Sequence, residues 1–245
     1  MKAVLCFALW LALPLPAAVR AGAARVTVTA DLARFSPIYI GGFGQNRVAT
    51  GFHDELWARC LALDDGRGPE VLCGVDSVGL FLDDVERIRA AAGKRAGGIR
   101  YLLVAALHDH EAPDTMGLWG ASPLTSGIHD GYMSYLVDRI AQAAVEAVTA
   151  LAPARLQVAA SHPADLDSFI ADDRPPRVHD AELIVLRAAD TKGRTIATLV
   201  NWANHPETLG SKNTLLTADY PAALYTRLEE RLGGVVVFLN GAVGG

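Results

Sequence analysis

Five apolar residues in a row, Leu102 to Ala106, run almost directly into the polar string His108-Asp109-His110-Glu111. An apolar run without alternation suits a strand covered on both faces, as in a sheet flanked by helices, rather than a strand with one wet face. The chain is thereby constrained to an α/β arrangement in which polar groups collect where a buried strand surfaces. Histidines at i and i+2 of an extended segment point to the same side, so both imidazoles are expected to reach one point in space. That geometry suits a divalent metal. Taken alone, such a pair would serve as well to cap a strand or to bond nearby carbonyls. The setting favours the metal: open α/β sheets place ligands beyond the carboxyl ends of strands, and the Gly-, Pro- and Trp-containing loop through Gly120 is too long for a plain connector.

Other segments supply the rest of such a fold. Arg25 to Thr29 alternates polar and apolar, as a half-buried strand does. Leu56 to Leu63 and Val71 to Val75 read as strands around an Asp64-Asp65-Gly66 reversal. Asp76 is expected to cap a helix over Val78 to Ala92, with Leu82, Val85, Ile88 and Arg89 at helical spacing. Gly131 to Leu151 carries Leu136, Ile140, Ala144, Ala147, Val148 and Leu151 on one stripe, a long amphipathic helix ended by Pro153. Arg155 to Ala160 is expected to return as a strand beside the central one, making the sheet partly parallel. Glu182 to Ala188 and Thr195 to Trp202 form a hairpin turned by Asp190 to Gly193. A helix over Tyr220 to Leu232, opened by Asp219 and Pro221 with Leu224 and Leu228 inward, precedes a buried strand, Val235 to Leu239. The predicted class is α/β, a mixed β-sheet with flanking helices.

Between the first two strands lies a glycine-rich loop, Gly41 to Gly51, holding Gln45, Asn46 and Arg47. It lacks the Lys-Ser/Thr that would follow a phosphate loop. His53-Asp54 reads as a strand-edge pair bonding to backbone. His205 stands past an apolar strand and before Pro206, by itself an ordinary loop histidine.

An apolar content of 51% is ample for a core, and a net charge of −5 offers no footprint for nucleic acid. Lys2, the apolar run Ala3 to Leu15 and the small residues Ala21-Gly22-Ala23 predict a cleaved leader over residues 1–23, too short and wrongly flanked to span a membrane. The chain is then secreted or periplasmic, and residues 24–245 carry the function. Cys60 and Cys73 remain in the exported part, each in an apolar run. An oxidising compartment permits a bridge between them, and buried thiols fit equally well.

The segment HDHEAPDTMGLWG resembles the HTHSGP segment of the neutral ceramidases and their bacterial relatives, secreted zinc amidases that cleave the amide of N-acyl sphingosines. YIGGFGQNRVATGFHDELWARCLALDDG, NWANHPETLG and FLNGAVGG agree with that family in the same order. Asp109 and Glu111 depart from it, standing where the family has Thr and Ser, and Ala112 replaces a Gly. The resemblance implies that His108 and His205 bind Zn²⁺, that His110 faces the substrate oxygen as donor or proton carrier, and that the glycine loop borders the site. Arg174, in Asp173-Arg174-Pro175-Pro176, matches an NRSP segment and is expected to hold the substrate. Asp109 is expected to orient a neighbour rather than to bind metal. A catalytic hydroxyl and two further ligands, a glutamate and a tyrosine, are expected beyond Gly245, so that the chain is the amino-terminal part of a larger catalytic domain. Two ligands of four would hold zinc with a dissociation constant of very roughly 10⁻⁴ to 10⁻⁶ M and support no turnover. The implied substrate is an N-acyl amide such as a ceramide-like lipid, with peripheral contact to a membrane surface. The rival reading is a non-catalytic exported binding protein on the same scaffold with an incomplete metal site. A metallo-phosphoesterase or lactamase fits less well, because HDHEAPD lacks the HxHxDH order of such sites.

Overall fold

The first described strand is β1 (Arg20–Thr27), followed after the glycine loop by the two-residue β2 (Gly51–Phe52). The computed structural model describes residues 19–170 and 175–243. β3 (Trp57–Asp64) lies antiparallel to β1 along its whole length and turns through Asp65-Gly66 into antiparallel β4 (Glu70–Val75), as the Asp-Gly signal predicts. Cys60 faces Cys73 across this hairpin and the two form a disulfide, which resolves the alternative left open by the sequence. α1 (Leu82–Arg95) then crosses to β5 (Tyr101–Ala106), parallel to β4. α2 (Asp130–Thr149) buries the predicted stripe, including Leu136, Ile140, Ala144 and Ala147, against this first group of strands.

The second half builds a second group. β6 (Ala152–Ser161) is followed by the single turn α3 (Ala164–Asp167) and by the hairpin of β7 (Leu183–Asp190) and β8 (Thr195–Trp202). β9 (Leu215–Leu216) pairs with β2, and α4 (Tyr220–Leu232) leads into β10 (Val235–Asn240), parallel to β8. The large sheet runs β10-β8-β7-β6-β1-β3-β4-β5, joined in the middle by a short pairing of β6 with β1, Arg20 opposite Pro153 and Ala21 opposite Ala152. So narrow a seam lets the sheet fold back on itself. Ala21 and Leu61 from one half pack on Ala188, Ala197, Leu199 and Val237 from the other. Gly74 marks the closest approach: a Cβ there would sit 2.1 Å from the Phe238 carbonyl oxygen, so only glycine lets β10 lie across β4. This closure brings the carboxyl ends of β5 and β8 side by side.

Several expectations need correction. β5 is an edge strand, half-buried along most of its length, rather than a strand enclosed on both sides. β6 adjoins β1 and β7, both antiparallel, and within the large sheet the parallel pairs are β4 with β5 and β8 with β10. α1 starts later than predicted and buries Ile88 and Ala92, while Leu82 is exposed. Ala21 to Ala23, expected to end a leader, lie within β1. There Ala21 is fully buried and Arg20 is paired with Asp64. Among the described residues no helix is long and apolar enough to cross a membrane.

Asp76 does not cap α1, whose first turn has Phe81 at the cap position and no side-chain cap. Instead it is buried, accepting from the Trp57 N–H at 2.8 Å and the Tyr225 hydroxyl at 2.9 Å. Burial pushes its pKa up to about 7, against the opposing pull of Arg59. Because the unfolded carboxyl releases its proton first, stability is expected to fall as pH rises from about 4 to about 7 and then to level off. Urea unfolding of the protein and of Asp76→Asn across that range checks this: the substitution should flatten the slope.

Candidate metal centre

Three segments meet where β5 and β8 end. His108 follows β5 but leaves the extended conformation, with φ of 64°. The expected i, i+2 strand geometry therefore does not explain how the histidines converge. A left-handed histidine costs on the order of 1–2 kcal/mol, the kind of strain that a surrounding site holds in place. The turn rotates the chain so that His110 comes back over His108, with ring centroids 4.8 Å apart. His205, past the end of β8, completes a triangle at 5.0 Å from His108 and 5.1 Å from His110. One nitrogen from each ring lies within 4.8 Å of the others, so His110 joins the ligand-capable set alongside His108 and His205.

Backbone bonds lock this meeting. The His110 N–H donates to the Pro206 carbonyl at 2.9 Å, tying the histidine loop to the loop of His205. Asn240, at the end of β10, donates through Nδ2 to the carbonyls of Leu107 at 2.8 Å and Asn204 at 2.9 Å. Asp219 accepts from both the N–H and the hydroxyl of Thr208 at 2.8 Å, which fastens the same loop to the start of α4.

Beneath the histidines lies a buried ion pair. Arg47 meets Glu111 at 3.1 Å, and Asn213 donates to the same carboxylate oxygen at 2.7 Å. The other end of the Arg47 guanidinium donates to the carbonyls of Gly41 and His110. One side chain thus joins the glycine loop, the histidine loop and, through 3.4 Å contacts to Gly210 and Asn213, the loop after His205. The glycine loop does border the site: Phe43 stacks edge-on against His110 at 5.0 Å, and a Cβ on Gly42, where φ is 96°, would meet the His110 ring at 2.3 Å.

The donor set fits a divalent cation such as zinc. His108 Nδ1 lies 2.9 Å from the Val78 carbonyl, which fixes the Nδ1–H tautomer and leaves Nε2 with its lone pair. Burial and the neighbouring histidines hold His110 down at about 4, and burial lowers His205 as well, so both are neutral and able to donate electron pairs near neutral pH. His110 Nδ1 is buried without an aligned hydrogen-bond partner.

The carboxylates nearby divide clearly. Asp114 accepts from the N–H groups of Met116, Gly117 and Trp119 within its own loop and stands outside the ligand-capable group. Asp109 accepts from the Glu111 N–H at 2.9 Å, in keeping with an orienting role, while its other oxygen is buried without a partner and burial raises its pKa well above the usual range. His53 and Asp54 pair at 2.7 Å, and Asp54 also accepts from the Ala218 N–H at 2.8 Å, the structural part expected of them. Arg174 lies outside the described residues. The partnerships of Arg47 with Glu111 and of Asn240 with Leu107 and Asn204 are not legible in the sequence. No local pattern marks contacts between residues so far apart in the chain.

No family model and no curated protein sequence matches this chain. Its fold is that of part of two solved structures. One is a neutral ceramidase from Pseudomonas aeruginosa, with a TM-score of 0.76 and 17% identity over 93% of this chain. The other is a ceramidase complexed with C2, with a TM-score of 0.77 and 17% identity over 93% of this chain. The chain spans 39% of the length of the first and 38% of the second.

Proposed function

We propose that the chain belongs to an exported zinc-dependent amide hydrolase acting on an N-acyl amide, a ceramide-like lipid. The observation that carries this reading is the meeting of His108, His110 and His205 at the strand ends of a fold shared with a ceramidase. His108 and His205 would hold the zinc ion, which when bound supplies Lewis-acid polarisation of the amide carbonyl and activation of a water. His110 takes a proton from water as the water oxygen adds to the carbonyl carbon. The carbon–nitrogen bond then breaks, and that proton goes to the departing amine nitrogen. Arg174 holds a polar group of the substrate.

The Cys60–Cys73 bridge supports an oxidising, exported location. Exposed Leu118 and Leu124, on the loop beyond the histidines, support contact with the lipid surface that presents the substrate. Hydrolysis of N-acyl sphingosine by the zinc-loaded protein, as its gene encodes it, tests the reading. Fatty acid release should stop with a chelator and return with zinc. A protein that holds zinc yet cleaves no N-acyl amide would instead be a binding protein on this scaffold.

A further inference from the structure

Glu207 lies outside the ligand-capable group, but its carboxylate faces His110. Glu207 Oε2 is 3.0 Å from His110 Nδ1, and the carboxylate is 41% exposed while the imidazole is nearly enclosed. The oxygen sits off the N–H direction, so Nδ1 counts as buried without an aligned partner. What else surrounds the ring explains why this matters. Phe43 offers an edge, Gly42 packs against the ring carbons, Arg47 binds the His110 carbonyl below, and His108 and His205 face it across the cavity. Phe43, Gly42 and Arg47 supply no acceptor, whereas a half-exposed glutamate reaches the N–H direction by rotating about its terminal torsions. A buried polar nitrogen with one acceptor in reach forms that bond, because leaving it unmade costs more than the rotation.

We propose that Glu207 is a positioning residue for His110: it accepts the Nδ1–H bond, fixes that tautomer and turns the Nε2 lone pair toward the histidine cluster. His108 is held in the same way by the Val78 carbonyl, so both rings of the loop present Nε2 to the same space. A carbonyl and a carboxylate thus each hold a ring by its Nδ1–H and leave Nε2 free. This role rests on His110 being the proton carrier of the proposed hydrolysis. The sequence signal was present in NWANHPETLG, where the glutamate stands two residues after His205.

Nitrogen-detected NMR of the metal-free protein reads the His110 tautomer directly, and comparison of Glu207→Gln with Glu207→Ala separates orientation from bulk structure. The native protein should show Nδ1–H at His110. Glu207→Gln should keep it, since the amide oxygen still accepts, and Glu207→Ala should lose it, with zinc affinity unchanged within tenfold. In turnover, Glu207→Ala should lower kcat by about ten- to a hundred-fold without moving KM. An Nε2–H tautomer in the native protein, or the same tautomer in Glu207→Ala, would overturn the proposal. Because the tautomer is read without metal or substrate, a native protein that hydrolyses no amide defeats the hydrolase reading while Glu207 is still decided.

Discussion

Replacing Arg47 with methionine is expected to destabilise the fold by about 3–5 kcal/mol, the cost of leaving a buried charge without its partner. Arg47 and Glu111 are 6% and 0% exposed in their side chains, and burial already pulls both toward their neutral forms, lowering the arginine and raising the glutamate. Their mutual attraction and the Asn213 bond offset that penalty only while both are present. The substitution also strips the donors from the carbonyls of Gly41 and His110, so three loops lose a common tie. Arg47→Met combined with Glu111→Gln should recover much of the loss, because the stranded carboxylate is gone even though the tie is not. Urea unfolding of the two single variants and the double variant measures this. A cost below about 1 kcal/mol for Arg47→Met would mean that water reaches the pair and that it does not tie the three loops together.

The sequence carried the elements better than their arrangement. The hairpin at Asp64 to Gly66, the stripe of α2 and the full span of α4 follow from turn chemistry and periodicity, which act over a few residues. What those signals do not encode is which strand lies beside which. The apolar run of β5 reads as a central strand, yet β5 is the sheet edge, and β10 folds across its neighbour β4 where Gly74 carries no side chain. The site divides in the same way. His108, His110 and His205 were legible as chemistry-bearing residues in a recognisable order, and the structure brings them together. Alternation on an extended strand does not bring His108 and His110 together, because His108 takes a left-handed turn that no residue-type preference announces. Asp76 shows the converse error: a local capping rule was preferred, and a hydroxyl from α4, distant in sequence, claims the carboxylate instead.

The second large effect concerns the histidines themselves. If a complete zinc site is worth roughly 10–16 kcal/mol over four ligands, each contributes about 3–4 kcal/mol, or on the order of a hundred- to a thousand-fold in affinity. His108→Ala and His205→Ala should each weaken zinc binding by that factor. His110→Ala should stay within about tenfold of the native protein while losing hydrolysis, since its part is to carry a proton. The cluster's geometry alone permits all three rings to bind, which makes the division of roles the sharpest claim of the account. Titration calorimetry with Zn²⁺ on the native protein and the three alanine variants tests it most directly. The account predicts one zinc per chain, lost with His108 or His205 and kept without His110; loss of zinc from His110→Ala with retention in His108→Ala, or no binding by the native protein, would contradict it.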